Sequence, residues 1–241
     1  MNTRTIVIIP TYNEVENISK IIDLIILENG NINILVVDDN SPDGTSALVN
    51  QKEESFPNRV FLIKRLNKRG LGTAYIDGFK WALKEKYDYI ISMDADFSHN
   101  PIELPKIIEY LNSGVDVVIG SRYLNGVSVV NWPIARIFLS YIAQIYVRLI
   151  TSMPIKDPTS GFVAYNSKCI DSLNLDKFRF IGYAFQIEMK YKIWKKKFKL
   201  KEHQIIFMNR ELGESKLDKK IILEAVYGVL QLRLDSFLNR L

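Results

Sequence analysis

Thr5-Ile6-Val7-Ile8-Ile9-Pro10-Thr11-Tyr12-Asn13-Glu14 decides the fold. A β-branched, wholly apolar run breaks into a polar loop, the form taken by a strand covered on both faces in a parallel sheet. The same form recurs at Asn33 to Val37 before Asp38-Asp39-Asn40-Ser41-Pro42-Asp43-Gly44, and at Arg59 to Ile63. It appears again at Tyr89 to Met93 before Asp94-Ala95-Asp96, and at Val115 to Gly120 before Ser121-Arg122-Tyr123. Helix-length segments join these runs. One marks its own start: Asn100-Pro101-Ile102-Glu103 sets a cap residue, a first-turn proline and a capping-box glutamate in order. Strands alternating with helices predict an α/β fold, a Rossmann-like, predominantly parallel sheet with helices on both faces.

The second half is less regular. Pro133 opens an amphipathic helix running to about Ile150, Asp157-Pro158-Thr159-Ser160-Gly161 reads as a loop, and Phe162 to Tyr165 as a short strand. A helix near Ile181 to Trp194 leads through Lys195-Lys196-Lys197 to a strand near His203 to Met208, and Lys219 to Leu241 reads as a last amphipathic helix. With no repeat and no interdomain linker, residues 1–241 are expected to form one domain, with amphipathic helices near 132–150 and 219–241.

Composition narrows the class. Hydrophobic residues are 47% and charged residues 24%, which excludes a disordered or fibrous chain. Cys169 is the single cysteine, so no intrachain disulfide forms and a reducing cytosol fits. The formal charge of +5 favours anionic partners. Nucleic acid is not expected among them, because the basic residues cluster in Lys195 to Lys201 without a recognised nucleic-acid-binding module. The apolar stretches Ile137 to Ile150 and Ile221 to Leu238 are broken by Arg148, Glu224, Arg233 and Asp235 and fall short of the roughly 20 residues of a spanning helix. The expectation is a chain without a cleaved leader that does not cross a membrane by itself.

In an open parallel sheet, ligands bind beyond the carboxyl ends of the strands. Asp94 and Asp96 flank one small residue there, so both carboxylates can meet one hard divalent cation able to bridge phosphate oxygens. Asp39 stands where doubly wound folds place a carboxylate that grips a nucleoside, Asp43 and Gly44 shape the loop beside it, and Tyr12 is a candidate to stack on the base. Lys68-Arg69-Gly70-Leu71-Gly72-Thr73-Ala74 is no dinucleotide fingerprint, since Tyr75 stands where the third glycine is wanted and no strand immediately precedes it. It reads as a basic loop opening a helix whose free N–H groups face an anion. Arg136, one turn into the helix after Pro133, is a candidate for an acceptor phosphate.

The ordered runs Pro10 to Glu14, Asp38 to Thr45, Arg69 to Ala74, Asp94-Ala95-Asp96-Phe97-Ser98-His99, Gly120 to Tyr123 and Arg210-Glu211-Leu212-Gly213-Glu214-Ser215-Lys216 span nearly the whole chain. Together they resemble the dolichol-phosphate (polyprenol-phosphate) mannose synthases, inverting glycosyltransferases of family 2 with a GT-A fold. The resemblance implies transfer of mannose from GDP-mannose to a polyprenyl or dolichyl monophosphate with a divalent metal, Mg2+ or Mn2+. Pro10, Tyr12, Glu14, Val37 and Asp39 would hold the guanosine, Asp94, Ala95 and Asp96 the metal and diphosphate, and Arg122, Arg210 and Lys216 the phosphates. Asp96, Arg122 and Arg210 would serve catalysis. Some relatives carry a glutamine metal ligand where this chain has Ser98. Larger relatives add C-terminal transmembrane helices; this chain would instead work from the cytoplasmic face of a membrane through its amphipathic surface or through small membrane-anchored partner subunits. A polyprenyl-phosphate glucosyltransferase or other UDP-sugar enzyme, and a non-catalytic nucleotide-sugar-binding protein, remain alternatives.

Overall fold

The structure, a computed structural model, describes residues 3–28, 30–209 and 219–238. Its strands are β1 (Thr5–Thr11), β2 (Ile32–Asp38), β3 (Val60–Lys64), β4 (Tyr89–Ser92), β5 (Val117–Ser121), β6 (Val129–Val130), β7 (Val163–Asn166), β8 (Leu200–Gln204) and β9 (Phe207–Met208). Its helices are α1 (Ile18–Glu28), α2 (Thr45–Ser55), α3 (Leu71–Lys84), α4 (Leu104–Asn112), α5 (Ile134–Thr151), α6 (Ser167–Asp171), α7 (Tyr183–Lys195) and α8 (Lys219–Phe237). The large sheet has the order β3-β2-β1-β4-β7-β5-β8, and β6 pairs with β9 in a separate ribbon. Every pairing in the large sheet is parallel except those of β7, which runs antiparallel to both β4 and β5.

Alternation along the strands divides the core into two layers. Ile6 and Ile8 of β1 join Tyr75 and Phe79 of α3 and Phe185 and Met189 of α7 on one face. Val7 and Ile9 join Ile18, Ile21, Ile22 and Ile25 of α1 and Leu104, Ile107 and Leu111 of α4 on the other. Each such side chain contributes about 1.5–3 kcal/mol relative to leaving it in water. Gly78 lets α3 approach the sheet, since a Cβ there would stand 2.7 Å from Ile8 Cγ2.

The expected strand at 203–208 is two elements. Ile205 N–H still donates to the Ser121 carbonyl, but Phe207 N–H donates to that of Ser128, so the chain passes from the sheet to the ribbon between them. The expectation that no segment reaches spanning length also needs correction: α5 has 18 residues with mean hydropathy 1.3, long and apolar enough by those measures to cross a membrane. Its charges, Arg136 and Arg148, fall in its first and last turns and leave the middle apolar. Gln144, Val147 and Thr151 are buried against the protein, whereas Ile134, Phe138, Ile142 and Leu149 are exposed. Tyr146 Oη donates to the Val226 carbonyl at 2.8 Å, tying α5 to α8, which exposes Tyr227, Leu234 and Phe237.

Parallel β1, β2, β4, β5 and β8 deliver their carboxyl ends to one sheet edge. Because β7 is reversed, its first residue, Val163, lies opposite Ser92 and Ile119, so the loop preceding β7 reaches that same edge.

Candidate active site

Beyond β4, Asp94 is partly exposed and Asp96 is buried. Asp96 Oδ1 accepts the Ser98 N–H at 3.2 Å and its hydroxyl at 2.5 Å, closing a tight turn in which Phe97 takes φ 61°, a left-handed value uncommon for a bulky residue. Asp94 N–H donates to Nδ1 of His99 at 3.0 Å. His99 is buried and stacked on Phe162, and its burial lowers its pKa, against a smaller opposing pull from Asp94. With Nδ1 accepting and the pKa lowered, the ring is neutral at pH 7, so its 3.8 Å approach to the Asp94 carboxylate is a contact between an imidazole and an anion rather than an ion pair. Among the described residues, no group of three or more His, Cys, Asp or Glu side chains is arranged to hold a metal. Two hard carboxylates on one turn, Asp94 partly exposed and Asp96 buried, nevertheless fit Mg2+ or Mn2+, ions that take their other ligands from phosphate and water.

At the ends of β1 and β2, Asp38 and Asp43 build the loop. Asp38 accepts from the hydroxyls of Thr11, Ser41 and Ser46, and Asp43 accepts from Thr45 and from Val15 N–H. Gly44 takes φ 96° at the entry to α2. Asp39 is buried against Arg65, whose Nη1 lies 2.6 Å from its Oδ1, while Arg65 also reaches Asp77 and the Thr73 hydroxyl. Lys68 Nζ covers the Tyr12 ring at 3.7 Å from its centroid, and Glu14 accepts from the Asn17 amide. Pro10 lies partly exposed in β1. Val37 and Ala95 are buried, and the Val37 side chain belongs to the core layer under α3. The N–H groups opening α3 are not all free as the sequence suggested, for Gly72 N–H donates to the Ile181 carbonyl at 2.8 Å.

Arg122, beyond β5, is gripped by Asp157: its backbone N–H and Nε reach Oδ2 at 3.0 and 2.7 Å, and Nη2 reaches Oδ1 at 2.7 Å. That guanidinium holds the buried Asp157 carboxyl below the usual carboxylate range, against the larger upward pull of desolvation. Its carbon also stands 5.4, 5.8 and 5.3 Å from the ring centroids of Tyr123, Trp132 and Phe207. Arg136 sits 4.0 Å from the Trp132 centroid and donates to Asn209 Oδ1 at 3.0 Å, so Trp132 brings the two expected arginines together. Arg210 and Lys216 lie outside the described residues.

Arg65 and Asp157 were not expected at the site from the sequence, and Lys68 was expected there only as part of a basic loop, not over the Tyr12 ring. Asp157 was visible only as a loop residue, because a search confined to the carboxyl end of each strand misses the residues that lead into a reversed one. A polar loop ahead of a short apolar run was the available signal.

A mostly parallel sheet covered on both faces, with acidic and basic loops converging at the carboxyl edge, defines a glycosyltransferase of the GT-A type. Crystalline glucosyl-3-phosphoglycerate synthase from Mycobacterium tuberculosis, in complex with Mn2+, uridine-diphosphate and phosphoglyceric acid, is similar in fold, with a TM-score of 0.72 and 17% identity over 95% of this chain and 78% of that one. The family model "Glycosyl transferase family 2" matches residues 6–173. The chain is 40% identical over 237 residues to a polyprenol monophosphomannose synthase of Mycolicibacterium smegmatis, covering 98% of this chain and 89% of the relative. It is 38% identical over 226 residues to an undecaprenyl-phosphate mannosyltransferase of Micrococcus luteus, covering 94% and 92% respectively. The chain belongs to the polyprenol-phosphate mannosyltransferases of glycosyl transferase family 2, as its motifs led one to expect.

Proposed function

We propose that this enzyme transfers mannose from GDP-mannose to a polyprenyl monophosphate at the cytoplasmic face of a membrane, with inversion at the anomeric carbon. One observation carries the reading. The Asp94-Ala95-Asp96 turn and the Arg122–Asp157 pair are joined through the single loop 157–161, and Arg122 shares Trp132 with Arg136 at the start of an exposed apolar helix.

A lipid monophosphate is largely ionised at neutral pH and needs no base to become a nucleophile. The task left to the site is to bring an anionic acceptor against an anionic donor. Asp94 and Asp96 would hold a divalent cation, which supplies charge neutralisation to the departing diphosphate. Asp39 would receive donors from the nucleoside, with Arg65 fixing its orientation, and Tyr12 would offer its ring to the base in place of Lys68. Arg122 and Arg136 would offset the repulsion between the two phosphorylated substrates, with Arg210 and Lys216 contributing from the segment after β9. The apolar face of α5, with α8 beside it, would rest among headgroups and meet the acceptor where its tail enters the bilayer. Small membrane-anchored subunits are further candidate partners.

The test is transfer from radiolabelled GDP-mannose to polyprenyl phosphate in vesicles, with Mg2+, with Mn2+ and with chelator. Labelled lipid is expected with either cation and not with chelator. Transfer from UDP-glucose in place of GDP-mannose would overturn the donor assignment, and undiminished transfer in chelator the metal.

A further inference from the structure

Among the residues whose side chains are described, Lys190 is the only buried lysine. Burying an ammonium is unfavourable unless partners compensate it, and an apolar side chain of similar length would fill the space without that cost. Lys190 projects from α7 and donates to the Ser160 carbonyl at 2.7 Å and to the Gln186 carbonyl of its own helix at 3.1 Å. Glu188, on the same helix, pairs with Lys192 instead. The charged groups facing Lys190 are Asp157 from the loop, Arg122 from the end of β5 and Glu202 from β8. The Glu202 carboxylate accepts the N–H groups of Lys156 and Asp157 at 2.8 and 2.9 Å.

Ser160 is the pivot of loop 157–161. Its hydroxyl donates to the Gly120 carbonyl at 2.6 Å, the Gly161 carbonyl accepts from Ser92 Oγ at 2.8 Å, and Asp157 at the other end clamps Arg122. Gly161 packs beside the acidic turn: a Cβ there would be in ordinary contact with it, 3.4 Å from His99 Cε1 and 3.6 Å from Asp94 Oδ2. One tether under Ser160 thus supports the arginine and the acidic turn together. With Lys190 protonated, Arg122, Asp157, Glu202 and Lys190 sum to zero; without its proton they carry one negative charge, beneath an edge meant to receive phosphate.

We propose that Lys190 is a positioning residue for the phosphate-binding edge, holding loop 157–161 through the Ser160 carbonyl and supplying the positive charge that lets the Arg122–Asp157 pair accept an anionic substrate. The proposal rests on the function above only in taking Arg122 to face a phosphate. Burial draws the Lys190 pKa down to about 7 and Asp157 opposes it, so the charge changes in the neutral range.

Calorimetry with geranyl phosphate on the full chain tests this without a sugar donor. From pH 7 to pH 9 wild type is expected to lose about fivefold in affinity, a range in which the ligand is already ionised. Lys190→Met should bind at the weaker level at both pH values, and should raise the KM for polyprenyl phosphate at pH 7 about fivefold with kcat within about twofold. Lys190→Gln, which keeps a donor for the Ser160 carbonyl without charge, should recover part of the affinity and none of the pH dependence. Unchanged affinity in both variants, pH dependence that persists in them, or wild-type binding that is absent or indifferent to pH would each overturn the proposal. Should Lys190→Met not fold, the wild-type titration and Lys190→Gln decide. Absent mannose transfer with the pH-dependent binding intact would sink the mannosyltransferase reading and leave Lys190 standing; active transfer with pH-independent binding would do the reverse.

Discussion

Asp96 is held by a pair of donors from Ser98, so its carboxylate is oriented before any ligand arrives. Asp96→Ala removes that carboxylate and leaves the Ser98 donors without it, at a cost of about 1–3 kcal/mol. Transfer is expected to vanish while far-ultraviolet circular dichroism stays native; near-normal turnover would remove Asp96 from the metal-binding turn. Lys190 makes a separate prediction about stability. Its pKa falls from 10.5 to about 7 on folding. Between those values the unfolded chain binds more protons than the folded one, so this residue's contribution to stability rises with pH through that window and is least favourable below about pH 7. By linkage the full span is about 5 kcal/mol. Thermal unfolding should therefore show Lys190→Met more stable than wild type at pH 6, with the advantage shrinking by pH 10. An advantage independent of pH would mean that Lys190 keeps an ordinary pKa.

Among the elements, α5 has two faces with different duties. Gln144 donates to the Thr159 hydroxyl and Val147 enters the core, so one face fixes the helix against the 157–161 loop. The other leaves Phe138 at 64% and Leu149 at 75% exposure, part of an exposed apolar face of the kind that marks an interaction surface. Replacing Ile137 and Phe138 by serine should raise the KM for a long-chain acceptor severalfold while sparing a short water-soluble analogue. Equal losses on the two acceptors, or no loss on either, would show that the helix is structural. The amphipathic periodicity of this helix was legible from Pro133 onward. Which residues face the loop was not, because that depends on where Thr159 comes to lie.

For the whole molecule, a net charge of +5 acts together with the exposed faces of α5 and α8. Each Lys or Arg close to an anionic leaflet contributes on the order of 1 kcal/mol, and salt screens such charges over about 10 Å at 0.1 M. Sedimentation with anionic vesicles should thus fall as salt rises, yet keep a salt-resistant remainder from the apolar faces. Binding with no salt dependence would assign attachment to apolar insertion alone, and no binding at all would assign it to a partner subunit.

The strands, their polar carboxyl-end loops and the Asn100 cap were legible in the sequence because neighbours along the chain set them: apolar runs fix the strands, and turn-forming residues fix the loops. Asp94, Asp96, Asp39 and Tyr12 could be picked out for the same reason, each standing just after a strand whose direction was read correctly. Tertiary structure alone decided that β7 runs backwards, which brings Asp157 onto Arg122 across 35 residues and the Ser160 carbonyl onto Lys190 across 30. It also set Arg65 on Asp39 and Lys68 over Tyr12. A buried ion pair or a tethered carbonyl leaves no local pattern, since its energy comes from desolvation and from partners that meet only when the sheet has closed around them.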